Sequence, residues 1–127
     1  MTEMRARTWR LPDLALDHAD AHGGTGVRAR RLDLGDGPGS PVHFVDYVEV
    51  APDGVIGYHR HGPDEEEFYL ILEGRGTISL DGAEQPVRTG DLVRNRAGGE
   101  HGLVNSGEGP LRLFVFEVAA SYPVEGR

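Results

Sequence analysis

The chain alternates between short apolar stretches and clusters of glycine, proline and aspartate. The clearest two-residue period covers residues 42–50, where successive side chains of an extended strand would point to opposite faces. One face carries Val42, Phe44, Asp46, Val48 and Val50. The other face carries His43, Val45, Tyr47 and Glu49. This pattern predicts a strand followed by a turn at Pro52–Gly54.

The same pattern predicts strands at residues 27–34, 55–61, 67–72, 77–80, 85–88, 92–95, 101–105 and 111–118. Turn residues separate these segments, including a cluster at residues 35–40, and no helical period is sustained, so the fold class is all-β. Residues 68–72 are apolar on both faces, which indicates a strand between two layers. A sandwich, a jelly roll and a closed barrel all satisfy these observations.

The length of 127 residues predicts one domain. We assign residues 27–120 to it, residues 1–26 to an N-terminal arm or loop, and residues 121–127 to a C-terminal tail. Trp9 and Leu11 could dock the arm on the body or on a second subunit. His18 and His22 lie before Gly23-Gly24, which would end any helix, and we interpret them as solvent-exposed loop histidines.

Composition limits the range of functions. The net charge of −8 argues against binding nucleic acid or an anionic membrane surface. The absence of cysteine rules out a thiolate metal site and fits a cytoplasmic location. No apolar run approaches the length that spans a membrane, and none suggests a signal peptide.

Candidate metal chemistry begins at His59 and His61. Two residues apart on a strand, they would direct both imidazoles to one side, and neutral imidazole is the commonest metal ligand. Four acids follow at residues 64–67, where a nearby cation would relieve their mutual repulsion. Strand parity alone leaves either Glu66 or Glu67 as a possible oxygen ligand.

These residues resemble the first motif of the cupin superfamily: a glycine, His-x-His, a glutamate and a closing glycine. Here they are Gly54, His59, His61, Glu67 and Gly74. The departures are that Gly54 is one residue nearer its histidine than in the motif, and that the gap before Glu67 is one residue longer. The six residues between Glu67 and Gly74 match the family spacing and favour Glu67 over Glu66.

The second cupin motif resembles the segment that begins at Gly90 and includes Gly98, His101 and Asn105. Arg96 stands where the motif has a proline. The resemblance implies a jelly-roll β-barrel with one divalent transition metal, of the Fe, Mn, Ni, Co or Zn type, in each chain. The implied ligands are His59, His61, Glu67 and His101. Three nitrogens and one carboxylate oxygen suit all of these metals.

Other candidates come from the predicted faces. Tyr69 shares the face of Glu67 and is our nominee for a catalytic proton-transfer residue, with Glu49 a weaker one. Tyr47, Arg94 and Arg96 are candidates for the substrate pocket, since guanidinium groups match carboxylates and phosphates. The competing interpretation of Arg94 and Arg96 is that they form surface ion pairs.

The resemblance implies a metal-dependent enzyme that acts on a small polar organic molecule, of the dioxygenase, isomerase or epimerase, or cyclase type. The alternative is a non-catalytic cupin that binds a small ligand. A storage role ranks last. We also predict a homodimer, because the apolar segment 68–72 and the N-terminal arm need a partner surface.

Overall fold

A computed structural model describes residues 8–34 and 40–121 as nine antiparallel strands with two short 3₁₀ turns at Leu11–Asp13 and Ala21–Gly23. The strands are β1 (His18–Ala19), β2 (Thr25–Arg31), β3 (Val42–Arg60), β4 (Glu65–Glu73), β5 (Arg75–Leu80), β6 (Ala83–Arg88), β7 (Leu92–Asn95), β8 (Glu100–Asn105) and β9 (Leu111–Ala119). The predicted turn at residues 35–40 and the ends of the chain, including most of the predicted tail, lie largely outside the described residues.

The strands form one curled sheet in the order β6-β5-β8-β3-β9-β4-β7, with β1 and β2 joined to β3. The first half of β3 pairs with β2 and β9, and its last residues pair with β8. Because one strand serves both halves of the sheet, the two layers close over a common interior. The predicted all-β jelly-roll barrel is confirmed.

The predicted turn at Pro52–Gly54 does not end a strand. Val50 pairs with Val27 and Val55 pairs with Thr25, so residues 51–54 bulge opposite Gly26 alone. Asp53 has a φ of 64°, which accommodates the bend. A bulge of this kind increases local twist and redirects a strand, and it carries β3 from one layer into the other.

Two glycines of the first cupin-like motif are required by close backbone approach. A Cβ at Gly54 would lie 2.7 Å from the carbonyl oxygen of Ala51. Gly74 has a φ of +92°, and a Cβ there would lie 2.6 Å from the carbonyl oxygen of Pro110. A side chain at either position would force the backbone apart, so these glycines maintain the barrel that carries the site.

The core is formed by alternate residues that point inward. On β9, Leu111, Leu113 and Val115 are fully buried, and they alternate with half-buried residues that include Phe114. At Glu117 the same inward row becomes polar while remaining buried. One end of the barrel therefore has an apolar interior and the other a charged one.

The described part of the N-terminal segment, residues 8–26, contains a short strand and two 3₁₀ turns rather than loop alone. β1 pairs with β2, placing His18 opposite Ala29, and β2 begins at Thr25. Trp9 and Leu11 are half-buried. The boundary at residue 26 stays a prediction.

Candidate metal centre

Three histidines converge at the charged end of the barrel. His59 and His61 lie at the end of β3, and His101 on β8 is directly opposite His59 in the strand register. The ring centroids are separated by 4.5 to 4.9 Å, and each ring offers a nitrogen within 4.8 Å of the others. The Nε2 atoms of His59 and His61 are 3.1 Å apart. This spacing could hold a metal ion among the three.

Glu67 adds a carboxylate to the cluster. Its Oε1 lies 3.1 Å from Nε2 of His101 and 3.7 Å from Nε2 of His61, and the side chain is buried. Burial alone would raise the pKa of Glu67, but the hydrogen bond with His101 and the neighbouring histidines outweigh burial and lower it. Glu66 points away and pairs with Arg94 at 2.5 Å. Of the two adjacent acids, only Glu67 contacts the histidines.

Backbone and carboxylate contacts orient the rings. The Nδ1 of His59 lies 2.6 Å from the carbonyl oxygen of Gly57, so it must donate its proton there and leave Nε2 with a lone pair. The Nδ1 of His61 lies 3.2 Å from Oε1 of Glu117 but outside hydrogen-bonding geometry. Burial lowers the pKa of His61, which the charge of Glu67 partly opposes. The lowered pKa favours the neutral imidazole at His61, the form that binds metals.

Glu117 was missed by the sequence analysis. It lies between His61 and His43, and His43 contacts its Oε2 at 2.9 Å. Burial and the charges of Glu65 and Glu67 raise the pKa of Glu117, against the hydrogen bond with His43. The available signal was an acid at an inward position of the apolar 111–118 segment. His61, Glu65 and Glu117 form a second group that could hold a cation.

A cavity of about 730 Å³ opens over His59 and His61. It is lined by Asp17, Ala21, His22, Ala29, Arg30, Arg31, Phe44, Asp46, His59, Arg60, His61, Glu65, Glu67 and Glu117. This lining holds five carboxyl groups and three guanidinium groups, so a divalent cation would bring its formal charge to balance. The charge of the cavity and the nitrogen-and-oxygen donor set both fit a divalent transition metal.

A buried ion-pair cluster forms the wall of this cavity. Asp46 is buried and accepts hydrogen bonds from Nε of Arg31 at 2.8 Å and from Nη2 of Arg31 at 3.0 Å. The Nε2 of His22 lies 2.8 Å from the same carboxylate. Burial would raise the pKa of Asp46, but its bonds with His22 and Arg31 lower it. Asp46 therefore stays ionised.

The interpretation of His22 as a solvent-exposed loop histidine is wrong. Its side chain is 10 % exposed and lies in the cavity wall. The neighbouring Gly23 does end any helix, as the sequence indicates, but the tight 3₁₀ turn at Ala21–Gly23 directs the ring inward toward Asp46. The side chain of His18 lies outside what the structure describes.

Tyr69 contacts the histidine cluster but does not belong to the cavity lining. Its hydroxyl is 3.1 Å from Nε2 of His101, and the residue is fully buried. Burial and the nearby charge of Glu67 raise its pKa well above the ordinary value. The face shared with Glu67 was correctly inferred, but the position suits holding His101 better than contacting a substrate.

The structure does not bring the three other pocket candidates into the cavity. Tyr47 follows Asp46 on β3 and therefore faces the opposite side of the sheet. Arg94 pairs with Glu66, and Arg96 pairs with Asp81 at 2.9 Å. Both arginine side chains are more than 60 % exposed. The two arginines occupy the surface ion pairs that were the competing interpretation.

The nearby Asn95 is buried, yet neither atom of its amide has a hydrogen-bond partner among the described residues. It lies opposite Glu67 on the neighbouring strand. Together with Arg94, Arg96 and His101 it borders a smaller cavity of about 240 Å³ on the other side of the cluster.

The sequence matches the cupin domain family over residues 46–117. The fold, the inward histidines and this match agree, and the chain belongs to the cupin family. No helix among the described residues has the length and apolar character to cross a bilayer.

Two characterised relatives are similar in sequence. A dimethylsulfoniopropionate lyase of Ruegeria pomeroyi is 35 % identical over 101 residues, which cover 80 % of this chain and 65 % of the lyase. An oxalate-binding protein of Thermotoga maritima is 31 % identical over 66 residues, covering 52 % of this chain and 54 % of that protein. The chain thus spans less than two thirds of the length of either relative.

Among solved structures, a predicted oxalate decarboxylase of Thermotoga maritima superimposes with a TM-score of 0.77 at 23 % identity. The match covers 87 % of this chain and 96 % of that one. At this identity the likeness concerns the fold alone.

Proposed function

We propose that the protein is a metal-dependent enzyme that binds one divalent transition metal and acts on a small polar organic molecule. The observation that carries the proposal is the convergence of His59, His61, His101 and Glu67. Of these residues, His59, His61 and Glu67 line the open cavity. Both characterised relatives are named for small organic acids, which supports a small polar substrate.

In this proposal, His59, His61 and His101 would hold the ion through ring nitrogens, and Glu67 through a carboxylate oxygen. A bound divalent metal would supply Lewis acidity, or oxygen activation if it is redox-active. The protein's own groups fix the ligands: Gly57 orients His59, and Tyr69 contacts His101. His59 is exposed at the cavity, so the open side of the cluster faces the space where a substrate would enter.

The alternative is a cupin that binds a small ligand without transforming it. It is favoured by the position of Tyr69, our sequence-based proton-transfer candidate, which lies outside the cavity lining. The name of the oxalate-binding relative is consistent with such a role.

The test uses protein purified without a histidine tag, with metal content measured by mass spectrometry. Turnover of dimethylsulfoniopropionate and oxalate, and oxygen uptake with small acids and phenols, would then be assayed beside calorimetric binding of the same compounds. Metal-dependent turnover supports the enzyme, whereas metal-dependent binding without turnover supports the alternative. Failure to load with any of the Fe, Mn, Ni, Co and Zn salts would overturn the metal-dependent enzyme, and the absence of both turnover and binding would overturn the alternative.

We further propose that the chain forms a homodimer. The outward faces of β4, β7 and β9 support this, because Phe68 and Phe116 stack with centroids 5.1 Å apart and Leu92 beside Leu70 is 60 % exposed. The cytoplasmic location stays a prediction.

A further inference from the structure

We propose that Arg31 is the substrate-anchoring residue of the cavity, and that the substrate carries a carboxylate which this guanidinium binds. The inference rests on the proposed function, because it assigns a second binding point in the cavity that contains the metal cluster. Arg31, His59 and His61 line the same cavity.

Arg31 is held in place along one edge of its guanidinium. Its Nε and Nη2 donate to the two oxygens of Asp46, and its Cζ lies 4.3 Å from the centre of the Phe44 ring. A guanidinium has five N–H donors, so this arrangement leaves three for another partner. The side chain is still 62 % exposed at the cavity. Arg31 is thus both immobilised and accessible.

The residues that hold Arg31 in place, Asp46 and His22, each carry a free-energy cost to the folded state. Asp46 is a buried carboxylate, and removing a carboxylate from water costs free energy that its partners must offset. His22, which also bonds Asp46, has a φ of 55°, a left-handed conformation that a non-glycine residue adopts at a cost. Strained, buried polar groups of this kind cluster at binding sites. We infer that they orient Arg31 for a ligand.

Two other arginines line the cavity, but they are placed differently. Arg60 donates from Nη1 to the carbonyl oxygen of Gly98 and from Nη2 to Glu100. Arg30 forms a single 3.3 Å contact with Asp17, and both partners are exposed. Neither is fixed by a buried carboxylate and an aromatic ring. Arg31 is therefore the arginine of the cavity that is placed to bind a carboxylate through two parallel hydrogen bonds.

The test measures binding of straight-chain dicarboxylates from malonate to glutarate, and of their uncharged diamides, to the zinc-loaded protein by calorimetry. We expect at least one dicarboxylate to bind ten times more tightly than its diamide. Arg31→Gln should reduce that preference about tenfold or more, since a charge-assisted bond is lost. Arg31→Lys keeps the positive charge beside Asp46 but loses the paired N–H groups of the guanidinium. It should retain only part of the preference for the dicarboxylate over the diamide.

The matched control is Arg28→Gln. Arg28 lies on the same strand as Arg31 but pairs with Glu49 outside the cavity lining, so its loss should leave the preference unchanged. Zinc content is measured for every variant, and circular dichroism confirms folding. A merely structural Arg31 would alter melting temperature without changing the ratio of acid to amide affinity.

The outcomes separate the two proposals. If none of the Fe, Mn, Ni, Co and Zn salts loads the wild-type protein, the metal centre is wrong. If zinc binds but no dicarboxylate is preferred tenfold over its diamide, or if both Arg31 variants keep the wild-type preference, the Arg31 assignment is overturned.

Discussion

The Nε2 atoms of His59 and His61 lie 3.1 Å apart. The Nδ1 of His59 donates its proton to the carbonyl oxygen of Gly57, so Nε2 is the nitrogen that faces His61. Two ring nitrogens at this separation share either a proton or a cation. We predict that His61→Ala abolishes stoichiometric metal binding, because it removes one of three converging nitrogens. Metal analysis after loading and desalting measures this. Full occupancy in the variant would contradict the proposed ligand set.

Replacing each of the adjacent acids Glu66 and Glu67 in turn tests which of them is the metal ligand. Glu67 contacts His101 and His61, whereas Glu66 pairs with Arg94 on the other face. We predict that Glu67→Gln weakens metal affinity at least about tenfold, because a charged ligand oxygen is lost. Glu66→Gln should leave affinity unchanged. Titration with zinc in competition with a chromophoric chelator measures both, and the reverse ranking would show that Glu66 is the ligand.

The pH dependence follows from the histidines. Burial lowers the pKa of His61 in the folded chain, so the unfolded chain binds protons more readily. Stability from this group is present above the ordinary histidine pKa of about 6.5 and is lost as pH falls toward the lower folded value. Bound metal excludes protons still further. Metal occupancy, stability and any activity should therefore decline together below about pH 6.

Melting temperatures from pH 8 to about pH 5, on metal-loaded and chelator-stripped protein, check the pH prediction. The loaded form should lose its advantage as the pH falls. A difference between the two forms that stays constant down to about pH 5 would argue against histidine ligation.

Two asparagines should respond oppositely to the same substitution. Asn105 donates to the carbonyl oxygens of Val50 and Gly109, and accepts from the backbone of Gly107. Replacing it by leucine should cost about 1–3 kcal/mol, because buried backbone groups lose their partners. Asn95→Leu should leave the free energy of unfolding unchanged or raise it, since its amide has no partner among the described residues.

Urea denaturation of both asparagine variants measures this difference. A large destabilisation by Asn95→Leu would mean that the Asn95 amide makes a contact in solution that the protein depends on.

Dimer formation can be tested at Leu92, which is 60 % exposed beside Leu70. We predict that wild-type protein is a dimer in light scattering at micromolar concentration and that Leu92→Lys shifts it toward monomer, because a charge would be buried in an apolar contact. Val104→Lys is the control, since Val104 is 41 % exposed on β8, away from β4, β7 and β9. A monomeric wild type would contradict the proposal.

The sequence predicted the local parts of this molecule well. Strand positions follow from the two-residue period, and the inward positions of His59 and His61 follow from the same period once their strand is known. Family spacing separated Glu67 from Glu66 as the structure does. Each of these inferences depends only on residues that are close together in the sequence.

The cavity wall could not be derived in this way. Arg31 meets Asp46, and Asp46 meets His22, only because the bulged β3 pairs with β2 in a particular register. Which distant strands pair, and with which residues opposite, depends on contacts between segments far apart in the sequence, and a local two-residue period does not supply them. For the same reason the sequence did not reveal that the two arginines proposed for the substrate pocket form ion pairs elsewhere. Arg94 pairs with Glu66, and Arg96 pairs with Asp81.

The position of β9 has a consequence for biosynthesis. This strand is synthesised after the other described strands, yet it lies between β3 and β4 at the centre of its layer. Until it arrives, β3 and β4 have no partner for those edges, and such edges invite aggregation. The layer that carries Glu67 is likewise incomplete until then. The proposed metal site could therefore be completed only after β9 has been synthesised, and we expect a chain truncated before Leu111 to be neither loaded with metal nor soluble.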